Sequence, residues 1–486
     1  MSLLGIDLGT SGVKALLIDE EGLAIASHMV EYPLLTPKPQ WAEQEPEQWQ
    51  AATLEALGAL GRDRLANVKA IGLSGQMHGS VFLDSAGEVV RPALLWCDQR
   101  TAAECDWIAE RVGWGALLAE TLNPPLTGFT AGKVIWLRNH EPENFARVRH
   151  VLLPKDFIRY KLTGELATDV SDASGTCLFN VPNRDWSSAV LNALDLPLER
   201  FPKAYESPQP TGQIARSVSE ATGLPVSTVV VAGAGDQAAG AIGTGIVESG
   251  TASCSIGTSG VAFAMLESPV PDPGYRTHVF CHAVPGAWHS MGVMLMAGGS
   301  LRWFRDVFYP GKSYAELAEL AGQVPPGCDG LVFLPYLAGE RAPHPDPHAR
   351  GVFFGATLSH GAAHFARAVF EGIAFGLADL FDLLGTTGAA VSAVRATGGG
   401  AQSRFWMQML ADLLGRPIET LEQEEGPAFG AALLAGVGAG VWPSVEAACQ
   451  ATVRTKSRIE PSESLYGHAR SLYTRLYPAL KELFKP

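Results

Sequence analysis

Residues 3–19 read LLGIDLGTSGVKALLID, and residues 251–265 read TASCSIGTSGVAFAM. They share Gly-Thr-Ser-Gly-Val, at Gly9–Val13 in the first half of the chain and Gly257–Val261 in the second. Each stretch is an apolar run, a turn of small residues and a second apolar run, the pattern of a β-hairpin. Small residues at such a tip leave backbone N–H and hydroxyl donors open to one ligand, and a phosphate suits clustered donors. One hairpin per half predicts two lobes gripping one polyphosphate. The copies differ in one place: Asp7 stands two residues before Gly9, where Ser255 stands before Gly257. Only the first hairpin offers a carboxylate, which suits Mg²⁺, an ion that keeps most of its waters and takes one or two carboxylates. A turn-capping Asp is the plainer alternative. Lys14 is placed either to reach a phosphate or to stand as a solvated strand lysine.

A chain of 486 residues exceeds one ordinary core and predicts two large domains. The second hairpin sets their boundary, giving 1–247 and 248–486. The net charge of −14 disfavours nucleic acid or an anionic membrane as partner. No apolar run approaches the roughly 20 residues of a membrane span, and no basic, signal-like N-terminus precedes the first strand. Seven cysteines without a CxxC pair read as reduced, buried thiols and predict a cytoplasmic protein.

Apolar strand-like runs alternate with helical periodicity, so the class is α/β. Pro46–Leu60 reads as a helix with Pro in its first turn. The run Val68–Leu73 ends in Ser74-Gly75-Gln76-Met77-His78-Gly79, and Thr228–Ala232 ends in Gly233-Ala234-Gly235-Asp236. His364–Leu384 carries the clearest helical face. Val391–Thr397 leads through Gly398-Gly399-Gly400 to a helix over Ser403–Leu414. Glu424–Gly440 is Gly/Ala-rich and suits close packing or close approach to a flat ligand, and 464–483 reads as a packing helix.

Asp236 follows a buried strand and two glycines. It suits a general base aimed into a cleft, or the N-cap of a helix starting at Gln237. Gly233-x-Gly235-x-x-Ala238 loosely matches a dinucleotide fingerprint, but Asp236 occupies the tight turn and no ribose-binding acid follows at the right distance. Gly311-Lys312-Ser313 lacks the earlier P-loop glycine, since Asp306 stands there. His278/His282 and His344/His348 have metal-like spacing, but the second pair is broken by proline, and zinc is not expected at either. Met77 and His78, beside glycines at a strand end, are better ligand contacts. Trp96, Asp98 and Arg100 would share one side of an extended segment, which suits a polyol. Gly398–Gly400 suits close passage under a nucleoside or α-phosphate.

The chain resembles the FGGY carbohydrate kinases nearly end to end, from the first strand to about residue 440. The family's first signature matches Gly128-Phe129-Thr130-Ala131-Gly132-Lys133 through His140. The second matches Gly351 through His364-Phe365 to Glu371, departing at Ala356, where a packing difference is expected. The resemblance implies two ribonuclease H-like lobes, the architecture of actin and hexokinase, with ATP and Mg²⁺ as cofactors. It implies Asp7 and Asp236 as catalytic and metal-associated residues, with Asp236 the base. Thr10, Ser11, Lys14, Gly257, Thr258, Ser259, Gly398, Gly399, Gly400, Gln402 and Ser403 would take ATP. Met77, His78, Trp96, Asp98, Arg100, Asp236 and Gln237 would take the sugar. Glycerol kinases carry Arg-Glu where this chain has Met77-His78, so the resemblance points to a pentulose, D-xylulose, phosphorylated at C5. Cys97 and Gln99 depart from the usual pentulose segment, keeping another pentulose or a deoxyhexulose as an alternative acceptor. An actin-like nucleotide switch and a sugar-sensing regulator are the rival classes. The family implies a homodimer.

Overall fold

A computed structural model describes residues 2–423, 425–462 and 465–485. Two seven-stranded sheets form the frame. In the first, Ser2–Leu8 pairs antiparallel with Gly12–Ile18, which pairs antiparallel with Ala24–Glu31. On its other side Ser2–Leu8 pairs parallel with Val68–Gly75, and that strand pairs parallel with Val229–Val231. The second sheet repeats this order. Gly250–Ile256 pairs antiparallel with Gly260–Leu266, and that strand with Trp288–Met294. Parallel neighbours Val391–Thr397 and Ile418–Leu421 follow on the other side. The repeat is that of two ribonuclease H-like lobes. The inner strands are covered on both faces, which is why Ser2–Leu8 reads as an apolar run rather than an alternation.

Both predicted hairpins form. Their tips close with Gly9 N–H donating to Gly12 O at 2.9 Å and Gly257 N–H to Ser259 O at 3.0 Å. Pro46–Leu60 is a helix with Pro in the first turn. The long helix of the second lobe spans Ala362–Thr386 and supplies much of that lobe's core.

The Gly/Ala-rich stretch is helical over Pro427–Gly438, and its predicted first residue, Glu424, lies outside the described residues. This helix follows the second sheet in sequence but packs on Ser2–Leu8, Val68–Gly75 and the helix Asp236–Gly243. Glycine permits the contact. A Cβ on Gly5 would lie 1.8 Å from Ala428 O, one on Gly72 1.9 Å from Ala431 O, and one on Gly430 1.8 Å from Ala239 O. Small residues here serve helix–sheet packing that joins the two halves of the chain. The last helix is Gly467–Phe484, and residue 464 of its predicted range is not described. Ala356 is exposed, so the packing difference expected there has no interior to act on. Among the described residues no helix is long and apolar enough to cross a membrane.

Candidate active site

Strand register assembles the acidic pair. Asp7 sits opposite Ser74, and Gly235 opposite Gly75, so Asp7 and Asp236 emerge at the carboxyl ends of the two strands that flank Val68–Gly75. Ligands in open α/β sheets collect at such carboxyl ends. Burial pushes the Asp7 carboxyl up to about 6, against the pull of the Ser74 hydroxyl and Lys14. Burial and the nearby Asp7 charge push Asp236 up to about 7, with the Gln237 amides opposing. Asp236 is the first residue of the helix Asp236–Gly243, and Gly235 holds the N-cap position. The expectation of Asp236 as N-cap is thereby corrected. Asp7 Oδ1 is buried without a hydrogen-bond partner among the described residues. Two crowded carboxylates with an orphaned oxygen fit a divalent cation that draws its other ligands from phosphate and water. Among the described residues no group of three His, Cys, Asp or Glu is placed to hold a metal ion by itself.

The first phosphate loop is tied into its own lobe. Thr10 Oγ1 donates to Gln76 Oε1 at 3.2 Å and accepts from Trp96 Nε1 at 2.9 Å. The Tyr32 hydroxyl donates to Gly9 O at 2.5 Å. Ser11 is exposed. Lys14 pairs with Glu425, just before the helix Pro427–Gly438. The second loop exposes Gly257 and Thr258. Arg302 Nη2, on the helix Gly298–Phe308, donates to Thr258 Oγ1 at 2.9 Å. Sequence reading missed this cation, whose one signal was its position a turn into a helix opening on two glycines. Gly398, at φ +80°, passes so close to the second hairpin that a Cβ would meet Ile256 O at 2.8 Å. Gln402 is exposed, while the Ser403 hydroxyl caps the helix Arg404–Leu414 by accepting from Trp406 N at 3.3 Å.

Met77 packs directly on the residue before Asp236, since a Cβ on Gly235 would come within 2.8–3.0 Å of three Met77 atoms. His78, at φ +67°, donates from Nδ1 to Gly175 O at 2.8 Å and tilts against Phe129, centroids 4.7 Å apart. Burial and the Lys133 charge hold the His78 imidazole neutral, well below its ordinary value.

The triplet Trp96–Asp98–Arg100 does not share one side. A turn, with Asp98 N–H donating to Leu95 O at 3.2 Å, breaks the expected alternation. Trp96 is 40% exposed, but the Asp98 and Arg100 side chains are 0% and 1% exposed. Asp98 accepts from Ala42 N at 2.7 Å and from Arg100, and Arg100 reaches Glu43 at 2.7 Å while lying 3.5 Å from the Trp41 ring centroid. The expectation that the three share one side is corrected: Asp98 and Arg100 are interior groups that shape the segment carrying Trp96.

A buried charge network beneath Asp236 also escaped sequence reading. Lys155 contacts Asp156 at 2.6 Å, Asp169 at 2.7 Å and Asp172 at 3.5 Å, all fully buried. Asp169 Oδ2 accepts from the Ser171 hydroxyl at 2.5 Å, and Ser171 Oγ accepts from Gly235 N at 3.1 Å. The network thus ends on the peptide entering Asp236.

The N-terminal domain of the FGGY family of carbohydrate kinases matches residues 2–243, and its C-terminal domain matches residues 252–439. A xylulose kinase of Escherichia coli (strain K12) is 43% identical over 484 residues, covering 99% of each chain. A xylulose kinase of Bacillus subtilis (strain 168) is 40% identical, covering 99% of this chain and 97% of its own. Among solved structures, a kinase from Brucella ovis titled "xyloylose kinase" superposes with a TM-score of 0.94 at 38% identity, covering 99% of this chain and 100% of its own. A gluconate kinase from Lactobacillus acidophilus superposes with a TM-score of 0.93 at 28% identity, covering 99% of this chain and 98% of its own.

Proposed function

The chain belongs to the FGGY family of carbohydrate kinases, and on that premise we propose that it transfers the γ-phosphoryl group of ATP to the C5 hydroxyl of D-xylulose, giving D-xylulose 5-phosphate and ADP. Xylulose kinases at 40–43% identity over nearly the full chain support the acceptor. The observation that carries the reading at the site is the packing of Met77 on Gly235, which puts the sugar turn against the residue before the base. The gluconate kinase shares the scaffold, so the acceptor is a matter of local residues such as Met77, His78 and Trp96 rather than of the fold.

Asp236 accepts the C5 hydroxyl proton as that oxygen attacks the γ-phosphorus. A carboxyl raised to about 7 is matched to proton transfer near neutral pH. The donors of Thr10-Ser11 and Gly257-Thr258-Ser259 face the triphosphate, with Arg302 adding charge beside Thr258. Gly398, Gly399, Gly400 and Gln402 lie under the adenosine. Asp7 and Asp236 would hold Mg²⁺, which when bound neutralises phosphate charge. Because phosphoryl transfer passes through a loose transition state, positioning by these groups outweighs the strength of the base. Residues 1–247 thus carry the acceptor and first phosphate loop, and 248–486 the second loop and nucleoside. Seven free thiols support a cytoplasmic enzyme, and the homodimer expected from the family is open to light scattering.

The test is ADP release from MgATP across pentuloses, hexuloses, glycerol and gluconate. D-xylulose should give the highest kcat/KM. A higher value for another sugar would keep the kinase and move the acceptor, and no response to any sugar would remove the proposal.

A further inference from the structure

His78 is a non-glycine residue held at φ +67°, a left-handed conformation that needs outside support. The support comes from the helix Thr130–His140. Lys133 Nζ donates to His78 O at 2.8 Å and also to Gly128 O. Thr130 Oγ1 donates to the same His78 oxygen at 3.1 Å. The imidazole is fixed independently, by Gly175 O on Nδ1 and by Phe129 on one side. Gly175 has no room for a side chain, since a Cβ would lie 2.3 Å from His78 Nδ1.

Lys133 is an expensive way to fill this position. Its side chain is fully buried, and among the described residues it forms no ion pair. Isolated buried ammonium groups are strongly disfavoured, and an apolar side chain would pack on the same helix face without that penalty. Burial draws its pKa down to about 7, with the charges of Asp98, Cys97 and Cys105 opposing and that of Arg100 reinforcing. What the ammonium gains in return is two carbonyls at the turn that carries Met77 and His78.

We propose that Lys133 is a positioning residue for the acceptor sugar: its ammonium, with the Thr130 hydroxyl, clamps the His78 carbonyl and holds the Met77–His78 turn in the shape that binds the sugar. This rests on the reading that Met77 and His78 contact the acceptor. The clamp acts on the sugar side of the cleft and does not touch the phosphate loops, so its loss falls on sugar affinity and leaves ATP affinity alone.

Lys133→Met, Lys133→Arg and Thr130→Val in the full chain test this, with KM for sugar, KM for ATP and kcat measured on the best acceptor of the wild type. Loss of a charged hydrogen bond predicts a sugar KM raised about 10- to 100-fold in Lys133→Met. Thr130→Val should show a smaller rise, Lys133→Arg should recover most of the loss, and ATP KM should move less than twofold in all three. The proposal fails if the wild type is active and both Lys133→Met and Thr130→Val keep a normal sugar KM. It fails equally if both Michaelis constants and kcat shift together, as general destabilisation would produce. If Lys133→Met does not fold, Thr130→Val decides alone. A wild type inactive on every sugar would remove the functional reading, and this proposal with it.

Discussion

Burial and the negative charge of Asp7 push Asp236 up to about 7, the two carboxylates emerging from the strands that flank Val68–Gly75. A carboxyl with a raised folded pKa binds its proton more tightly when folded than when unfolded. Its ionisation therefore subtracts from stability, increasingly as pH rises from its ordinary value of 3.8 to about 7. Asp236→Asn should raise Tm at pH 8 and leave it nearly unchanged at pH 4. MgATP should shrink the gain at pH 8 by stabilising the wild type more than the variant. An equal Tm change at both pH values would show that Asp236 is not raised.

As the proposed base, Asp236 also sets the rate. Asp236→Asn should lower kcat by about 10²–10⁴-fold, the usual worth of a positioned general base. ATP should still bind, as read by calorimetry, because the phosphate loops are intact. In the wild type, kcat/KM for the sugar should fall toward acid pH as Asp236 takes up its proton, at an apparent pKa that bound Mg²⁺ draws below the value of about 7 of the metal-free site. A flat profile between pH 5 and 8 would count against Asp236 as the base.

Ser171 links the buried network to the base. Ser171→Ala leaves the Gly235 amide without its acceptor and Asp169 Oδ2 short of a donor. Leaving a buried donor unpaired costs about 1–3 kcal/mol, readable by urea unfolding. Because Gly235 directly precedes Asp236, kcat at saturating substrates should also fall, and Ser171→Thr should recover it. Unchanged kcat with lowered stability would confine Ser171 to a structural role.

Asp98 separates packing from sugar contact. Asp98→Ala removes the acceptor of Ala42 N and one of the two carboxylates paired with the buried Arg100, leaving Glu43, and breaking a buried pair costs up to about 3–5 kcal/mol. Denaturant midpoints should drop sharply. A variant of normal stability with a raised sugar KM would favour direct sugar contact over packing.

Gly430 tests the helix that joins the halves. Gly430→Ala would thrust a methyl to 1.8 Å from Ala239 O, and overpacking of this kind costs about 1–3 kcal/mol or more. Thermal unfolding should show a lowered Tm. No change would mean that the helix Pro427–Gly438 shifts freely on the first sheet.

By itself the sequence determined whatever depends on neighbours a few residues apart. Apolar runs broken by Gly-Thr-Ser-Gly make hairpins wherever they sit, and helical spacing marked His364–Leu384 within the helix Ala362–Thr386. Asp7 and Asp236 stood out because a carboxylate at the end of an apolar strand is locally conspicuous. The tertiary structure alone decided which distant groups meet. Period-two spacing predicted that Asp98 and Arg100 would line up with Trp96, but a turn sent them inward to Glu43. Lys133 was visible as a signature residue, yet its hold on a carbonyl 55 positions earlier was not. Nor was the path by which Ser171 meets Gly235, or Lys14 meets Glu425. The reason is physical. Periodicity reports which face of an element is buried, whereas a long-range hydrogen bond depends on the route of the chain between its partners, and no local pattern in one sequence records that route.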